Sequence, residues 1–156
     1  MSTRGIVCAV KGGNYKIALY NHCDSYPSYL GEGLLEALKN KKLRKNLLLK
    51  MDSITEVKES ESSDAIDILR GIASGEITEI CNDLNFAGDS LFCEWGYVID
   101  FDRKTFEIYR GFNQQILPKG ERFAFCNDAK SSYRPIKMID CFHFSRLPKN
   151  LRNYEI

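Results

Sequence analysis

The sequence has almost no net charge and no long apolar run, and each shortage excludes a class of protein. Twenty-two lysines and arginines face 21 aspartates and glutamates, so the formal charge is +1. A charge this small gives no overall attraction to polymeric nucleic acid or to an anionic membrane. No apolar stretch approaches the ~20 residues that a membrane-spanning helix needs, so we expect no membrane partner.

Signals for secretion, disulfides and metal binding are also scarce. The first residues contain no apolar segment of the kind that a signal peptide carries, so we expect a cytoplasmic protein. The six cysteines include no C-x-x-C pair, which favours buried thiols in a reducing compartment over a disulfide framework. Only two histidines are present and neither shows a metal-ligand spacing, so we expect no metal and no cofactor.

What the sequence does contain is a set of strand and helix patterns that fits one globular domain over residues 1–156. Apolar, β-branched and aromatic runs predict two β-hairpins, 5–11 with 15–21 and 91–101 with 105–112, and a final strand over 135–144. Leucines and isoleucines at helical spacing predict helices over 30–50 and 63–84. The expected class is α+β, with a largely antiparallel sheet built from the two hairpins plus the C-terminal strand and the helices packed on one side.

Side-chain alternation assigns faces within the predicted strands. Tyr15, Ile17 and Leu19 fall on one face of the second strand, and Tyr20 and His22 fall on the other. This places His22 beside Tyr20 at the point where the strand ends.

The densest group of polar side chains is the stretch YNHCDSYP at 20–27, between the second strand and the first helix. His22, Asp24 and Ser25 supply a base, a carboxylate that can orient it and a hydroxyl, which are the parts of an acid–base or nucleophilic site. Adjacency along the chain does not bring such groups together in space. The alternative is that Asp24 and Ser25 simply turn the chain into the helix.

A second set of residues is predicted to bind a ligand around that stretch. Hairpin pairing returns the end of the second strand to the start of the first, where an arginine can fork onto a phosphate or a carboxylate. The set is Arg4, Tyr20, Tyr26, Glu94, Trp95 and Arg110. The alternatives are an ion pair for each arginine, with Arg110 pairing to Glu94, and a core position for each aromatic ring.

Three further features have competing interpretations. His143 lies between two phenylalanines and is expected to be a core histidine. The basic run over 39–50 is expected to be a solvated helix face and not a phosphate cradle. Removal of Met1 would expose the amine of Ser2, which could then activate its own hydroxyl.

Four stretches, 2–5, 20–31, 93–100 and 109–112, resemble a family of small phage and bacterial proteins. The shared pattern is TRG, then YNHxDSYPxxLG, then CEWxYVID, then YxGF. The resemblance implies a phage or prophage product in the cytoplasm of a bacterial host. By analogy with other small proteins of that setting, it implies an action on the nucleotide signals of bacterial immunity, either degrading or sequestering them.

These observations predict a protein that acts on a small phosphorylated ligand, such as a linear or cyclic nucleotide, by metal-independent hydrolysis. His22 would be the acid and base, Asp24 its orienting carboxylate, and Arg4 or Arg110 the phosphate clamp. One alternative is a binding protein that sequesters the same ligand, and another is a protein–protein interaction module. The expected partner is a nucleotide-like small molecule and not a nucleic acid polymer, and a homo-oligomer is left open.

Overall fold

The computed structural model describes residues 2–59, 63–126 and 132–154. In these ranges the strands and α-helices are β1 (Gly5–Lys11), β2 (Asn14–Asn21), α1 (Glu32–Lys39), α2 (Lys41–Lys50), β3 (Thr55–Glu56), α3 (Ala65–Ser74), β4 (Glu79–Ile80), β5 (Trp95–Asp100), β6 (Thr105–Arg110) and β7 (Lys137–His143). One turn of π-helix, Pro27–Gly31, leads directly into α1. The combination of these helices with a largely antiparallel sheet confirms the predicted α+β class. Met1, and with it the hypothesis of an exposed Ser2 amine, lies outside the described residues.

Five of the strands form one sheet in the order β2-β1-β5-β6-β7. Both predicted hairpins and the final strand are present, and the pairings β1–β2, β5–β6 and β6–β7 are antiparallel. The two hairpins are joined by a parallel pairing of β1 with β5. The sheet is therefore largely antiparallel, as predicted, with one parallel pair in its interior.

Two glycines form the turn of the first hairpin. Gly12 and Gly13 have φ angles of 62° and 74°, and a type I′ turn requires a positive φ at both central positions. The N–H group of each glycine donates to the carboxylate of Asp102, at 2.8 Å, in the turn of the second hairpin. The bonds from Gly13 and Gly12 lower the pKa of Asp102. They also tie the two hairpin turns together beside the β1–β5 pair.

The helices cover one face of the sheet. The core on this face joins strand residues such as Val7, Ile17 and Tyr97 to Leu34 of α1 and Leu69 of α3. The opposite face packs against buried residues of the connecting segments, which are Ala87, Leu117, Phe123 and Ile136, and we call it the loop-covered face. The helices therefore lie on one side, as predicted, and a second core forms beneath the loops.

The helices are shorter than their apolar patterns suggest. The 30–50 segment is interrupted at Asn40, whose backbone ψ of 100° ends α1 and whose side chain accepts from the N–H of Leu43 to cap α2. The 63–84 segment is helical only as far as Ser74, because Gly75 adopts a left-handed φ of 86°. The predicted helix after Gly75 is wrong, since β4 forms there and pairs in parallel with β3. Within the described ranges, no helix is long and apolar enough to cross a membrane.

A β-bulge moves Tyr15 to the loop-covered face. The register shifts within β1, so that Ala9 pairs with Ile17 whereas the next residue, Val10, pairs with Tyr15. One extra residue reverses the alternation of side chains. Tyr15 consequently packs near Phe123, with ring centroids 6.1 Å apart, and the prediction that it shares a face with Ile17 is wrong.

All six cysteines are free thiols, and they differ in burial. Cys8 and Cys93 lie in the loop-covered core, where burial raises the pKa of both thiols. Because the thiolate is the reactive form, we expect iodoacetamide to alkylate Cys141, Cys23 and Cys81 in the folded protein well before Cys8 and Cys93. Peptide mass mapping after brief alkylation measures this order, and all six should react alike in guanidinium. Labelling of Cys8 as fast as Cys141 in the native protein would contradict this packing.

Candidate functional site

The polar stretch that follows β2 is organised by a buried asparagine. The side-chain amide of Asn21 donates to the carbonyl of Cys23 at 2.9 Å and to Oγ of Ser25 at 2.8 Å. Its Oδ1 accepts from the N–H of Ala65, at the start of α3, at 2.9 Å. Ser25 is 0% exposed, and its carbonyl accepts from the hydroxyl of Tyr97 at 2.7 Å. The Ser25 hydroxyl is thus part of a buried structural network, where a substrate has no access to it.

His22 and Asp24 open onto two different clefts. His22 is exposed, with Nδ1 3.4 Å from the hydroxyl of Tyr20, and it lines a cleft beside β4. Asp24 has a left-handed φ of 55°, accepts from the hydroxyl of Tyr26 at 3.3 Å and lines a cleft beside α1. In the described part of the chain the two share neither a hydrogen bond nor a cleft. The predicted base and orienting carboxylate are therefore not brought together, and Ser25 does not complete them.

The sheet also separates the residues predicted to bind a ligand. Arg4 and Glu94 immediately precede β1 and β5, where the N–H of Glu94 donates to the Arg4 carbonyl at 3.0 Å. Strand alternation places both on the loop-covered face, whereas Trp95 faces the helices. Arg110 lies over the Trp95 ring, with Cζ 4.5 Å from its centroid. Among the described residues, Arg110 stacks on its cross-strand partner and forms no ion pair with Glu94.

Tyr20 and Tyr26, both predicted to bind the ligand, also lie against different cores. Tyr20 packs edge-on against Phe86, with centroids 5.0 Å apart, at the border of the loop-covered core. Tyr26 packs against the helix-covered core. A single concave surface that combines Arg4, Tyr26 and their predicted neighbours is therefore not formed.

Charge distinguishes three clefts that the described residues form. The cleft of His22 is lined by three carboxylates and one lysine, and the cleft of Asp24 by four carboxylates and three cations. Among the described residues, a third cavity, of about 750 Å³, is lined by five cations and no carboxylate: Lys39, Lys41, Arg44, Lys45 and Lys104. We call this cavity the basic pocket. Coulomb attraction favours a phosphorylated ligand there over the other two clefts.

The basic pocket combines α2 with the β5–β6 turn and the end of β7. The N–H of Phe144 donates to the carbonyl of Lys104 at 2.8 Å, which holds the end of β7 against the turn. Phe101 and Phe144 meet edge to face, with centroids 5.8 Å apart. The guanidinium of Arg44 lies 4.9 Å above the Phe144 ring and donates to the carbonyl of Leu38 at 3.1 Å. The pocket therefore has aromatic rings beneath a rim of positive charge.

The rim lysines are available to a ligand. Lys41, Lys45 and Lys104 are exposed. None of them forms an ion pair with another described residue. From the sequence we expect the 39–50 run to be only a solvated face. In the structure, Lys104 and the end of β7 lie opposite this run, and no local pattern indicates that contact.

His143 lines the basic pocket and is exposed, so the prediction of a core histidine is wrong. The Phe-His-Phe pattern favours a buried strand, but β7 is the edge of the sheet and is only partly covered. Nδ1 of His143 accepts from the N–H of Ser145 at 3.1 Å and lies 2.8 Å from its Oγ. A neutral imidazole that accepts at Nδ1 carries its proton on Nε2. Nε2 is then a hydrogen-bond donor for an anionic ligand.

A buried ionic cluster on the loop-covered side was not predicted. Arg122 donates from Nε to Glu107 and from Nη2 to both Asp100 and Glu107, each at 2.7 Å. The hydroxyl of Tyr109 donates to Glu107 at 2.6 Å, and burial together with the Glu107 charge raises the pKa of Tyr109. Asp100 and Glu107 are only 3% and 2% exposed. The cluster fastens the segment that carries Arg122 onto the sheet.

Comparisons of the chain with models of known protein families, with curated proteins and with solved structures find no match. In the ranges that the structure describes, no group of three or more His, Cys, Asp and Glu side chains could hold a metal ion. The functional assignment therefore rests on the geometry and charge of the clefts.

Proposed function

We propose that the protein binds a small phosphorylated, nucleotide-like ligand in the basic pocket and holds it intact. The observation that carries this proposal is a set of five cations around two phenylalanine rings, with no carboxylate from the described part of the chain. Ammonium and guanidinium groups bind phosphate oxygens, and an aromatic face can stack on a base. A cavity of about 750 Å³ is within the range of small-molecule sites.

The geometry supports binding more than hydrolysis. His22 and Asp24 line clefts with an excess of carboxylates, which repel a phosphate. In the basic pocket, His143 presents a donor at Nε2 when neutral, and no carboxylate from residues 2–59, 63–126 or 132–154 lines the pocket to orient it as a base. Retaining an anion requires only donors and positive charge, and the pocket supplies both.

The resemblance to phage proteins extends this proposal to a biological setting. In a bacterial host, the ligand would be a linear or cyclic nucleotide signal of immunity, and binding would lower its free concentration. Sequestration of this kind depends on affinity and on protein concentration, and it needs no turnover.

Titration calorimetry with pyrophosphate, ATP and a cyclic dinucleotide tests the assignment. We expect binding that weakens as salt is raised, because the contacts are charged and exposed. Lys45→Glu should weaken binding about tenfold or more, since a hydrogen bond to a charged group contributes about 1.5–3 kcal/mol. Lys42→Glu is the matched control, because it makes the same charge change on an exposed residue of α2 that does not line the pocket.

The same samples are analysed by chromatography for turnover, with and without EDTA. Ligand recovered unchanged after heat denaturation supports sequestration. If product forms in the presence of EDTA and this activity is lost in His143→Ala, the protein is a hydrolase that acts at this pocket and not a binding protein. Equal affinities of the Lys45 and Lys42 variants would place the ligand elsewhere.

A further inference from the structure

Arg44 is held in the basic pocket with its guanidinium over an aromatic ring. Its Cζ lies 4.9 Å from the centroid of Phe144, and Nη1 donates to the carbonyl of Leu38 at 3.1 Å. The first distance is within the range of cation–π contacts, and a planar guanidinium stacks on aromatic faces. The ring contact and the hydrogen bond together fix the position of this group before a ligand binds.

The guanidinium of Arg44 is still accessible to a ligand. Arg44 is only half-buried, and it lines the cavity. Within residues 2–59, 63–126 and 132–154 it forms no ion pair. Because Phe144 lies beneath it, the face of that ring is covered, and Arg44 presents the outer surface of the pair. Nucleic-acid bases stack on arginine planes as they do on aromatic rings.

The spacing along α2 separates Arg44 from the lysines that face the same pocket. Lys41 and Lys45 are four residues apart and form one row of the helix surface, and Arg44 and Leu48 form the row beside it. A ligand whose phosphate lies on the lysine row therefore has its adjoining part over Arg44 and Leu48. A planar base fits this second row better than another phosphate, because the aliphatic Leu48 offers no hydrogen-bond donor.

We propose that Arg44 determines the specificity of the basic pocket by stacking on the base of a nucleotide. Phe144 supports the guanidinium from beneath, and the exposed lysines hold the phosphate. This inference rests on the proposed function, and it restricts the ligand to nucleotides among phosphorylated compounds, with sugar phosphates binding less tightly. Lysine cannot take the place of Arg44, since an ammonium group has the same charge but no plane.

The test uses the full chain with AMP and ribose 5-phosphate, which share the sugar and the phosphate and differ in the base. In titration calorimetry we expect AMP to bind about tenfold more tightly. Arg44→Lys should reduce this preference to about threefold or less and should leave the affinity for ribose 5-phosphate nearly unchanged. Lys45→Gln should weaken both ligands by the same factor. Arg152→Lys makes the matched change at an exposed arginine outside the pocket and should alter neither affinity.

The affinity for ribose 5-phosphate also shows whether the Arg44 variant keeps a folded pocket. If Arg44→Lys weakens both ligands equally, Arg44 binds the phosphate and the inference is overturned. It is also overturned if Phe101→Leu abolishes the preference for AMP whereas Arg44→Lys keeps it, because the base then stacks on Phe101. Equal affinities of the unmodified protein for the two ligands, both weakened by Lys45→Gln, would leave a phosphate site without base recognition. Absence of binding by either ligand would overturn the proposed function itself, and the role of Arg44 with it.

Discussion

Replacing Arg122 by methionine is expected to lower the free energy of unfolding by about 3–5 kcal/mol. Arg122 bridges Asp100 and Glu107 through three bonds of 2.7 Å, and both carboxylates are almost fully buried. Methionine keeps the apolar stem of the side chain but leaves two buried negative charges without a counterion. Urea denaturation near neutral pH, with linear extrapolation to water, measures the loss.

Two controls separate the buried charge from the loss of packing. Arg103 approaches Asp100 only to 4.0 Å and has a side chain that is 77% exposed, so Arg103→Met should cost less than about 1 kcal/mol. Combining Arg122→Met with Asp100→Asn and Glu107→Gln removes the charges together and should restore part of the stability. Similar losses for the Arg122 and Arg103 variants would show that the buried cluster contributes little.

Gly111→Ala is expected to destabilise the protein by about 3 kcal/mol, at the upper end of the usual cost of overpacking. A Cβ at this position would lie 2.0 Å from the carbonyl oxygen of Cys93 and 2.9 Å from backbone atoms of Ser90 and Glu94. Because these are backbone atoms of the neighbouring chain segment, no rotamer change relieves the clash. Thermal and urea unfolding both measure the effect.

Gly120 provides the matched control, since a Cβ added there meets nothing within 4 Å. Gly120→Ala should leave stability unchanged or raise it by about 0.4–1 kcal/mol, by restricting the unfolded chain. If Gly111→Ala and Gly120→Ala unfold at the same midpoint, the close approach of residue 111 to the 90–94 segment is wrong.

Local sequence patterns were sufficient to predict the two hairpins, but not the parallel β1–β5 pairing that joins them. Gly12 and Gly13 mark a tight turn in any context, because few other residues accept a positive φ at both positions. The β1–β5 pairing depends on contacts between distant parts of the chain, which no short pattern encodes. No local pattern predicts the bulge that moves Tyr15 either, because one inserted residue leaves the apolar composition of β2 unchanged.

The candidate site shows why polar density misled the sequence interpretation. The polar groups of Asn21 and Ser25 hold the end of β2 against neighbouring elements. From the sequence alone, polar residues with this structural role look the same as residues of a catalytic site. The basic pocket takes Lys41, Lys104 and His143 from three separate parts of the chain. Only the fold brings these cations together, so the run on α2 alone favoured a solvated face over a phosphate cradle.

The parallel pairing of β1 with β5 sets the order of events during biosynthesis. β1 and β2 leave the ribosome first, but β1 lacks one of its two neighbours until 95–100 has been translated. For that interval a nascent chain exposes an apolar strand edge, and an isolated hairpin is at best marginally stable. The newly made protein therefore completes this sheet only after its second half emerges, and until then the open edge of β1 is available for pairing with other unfolded chains.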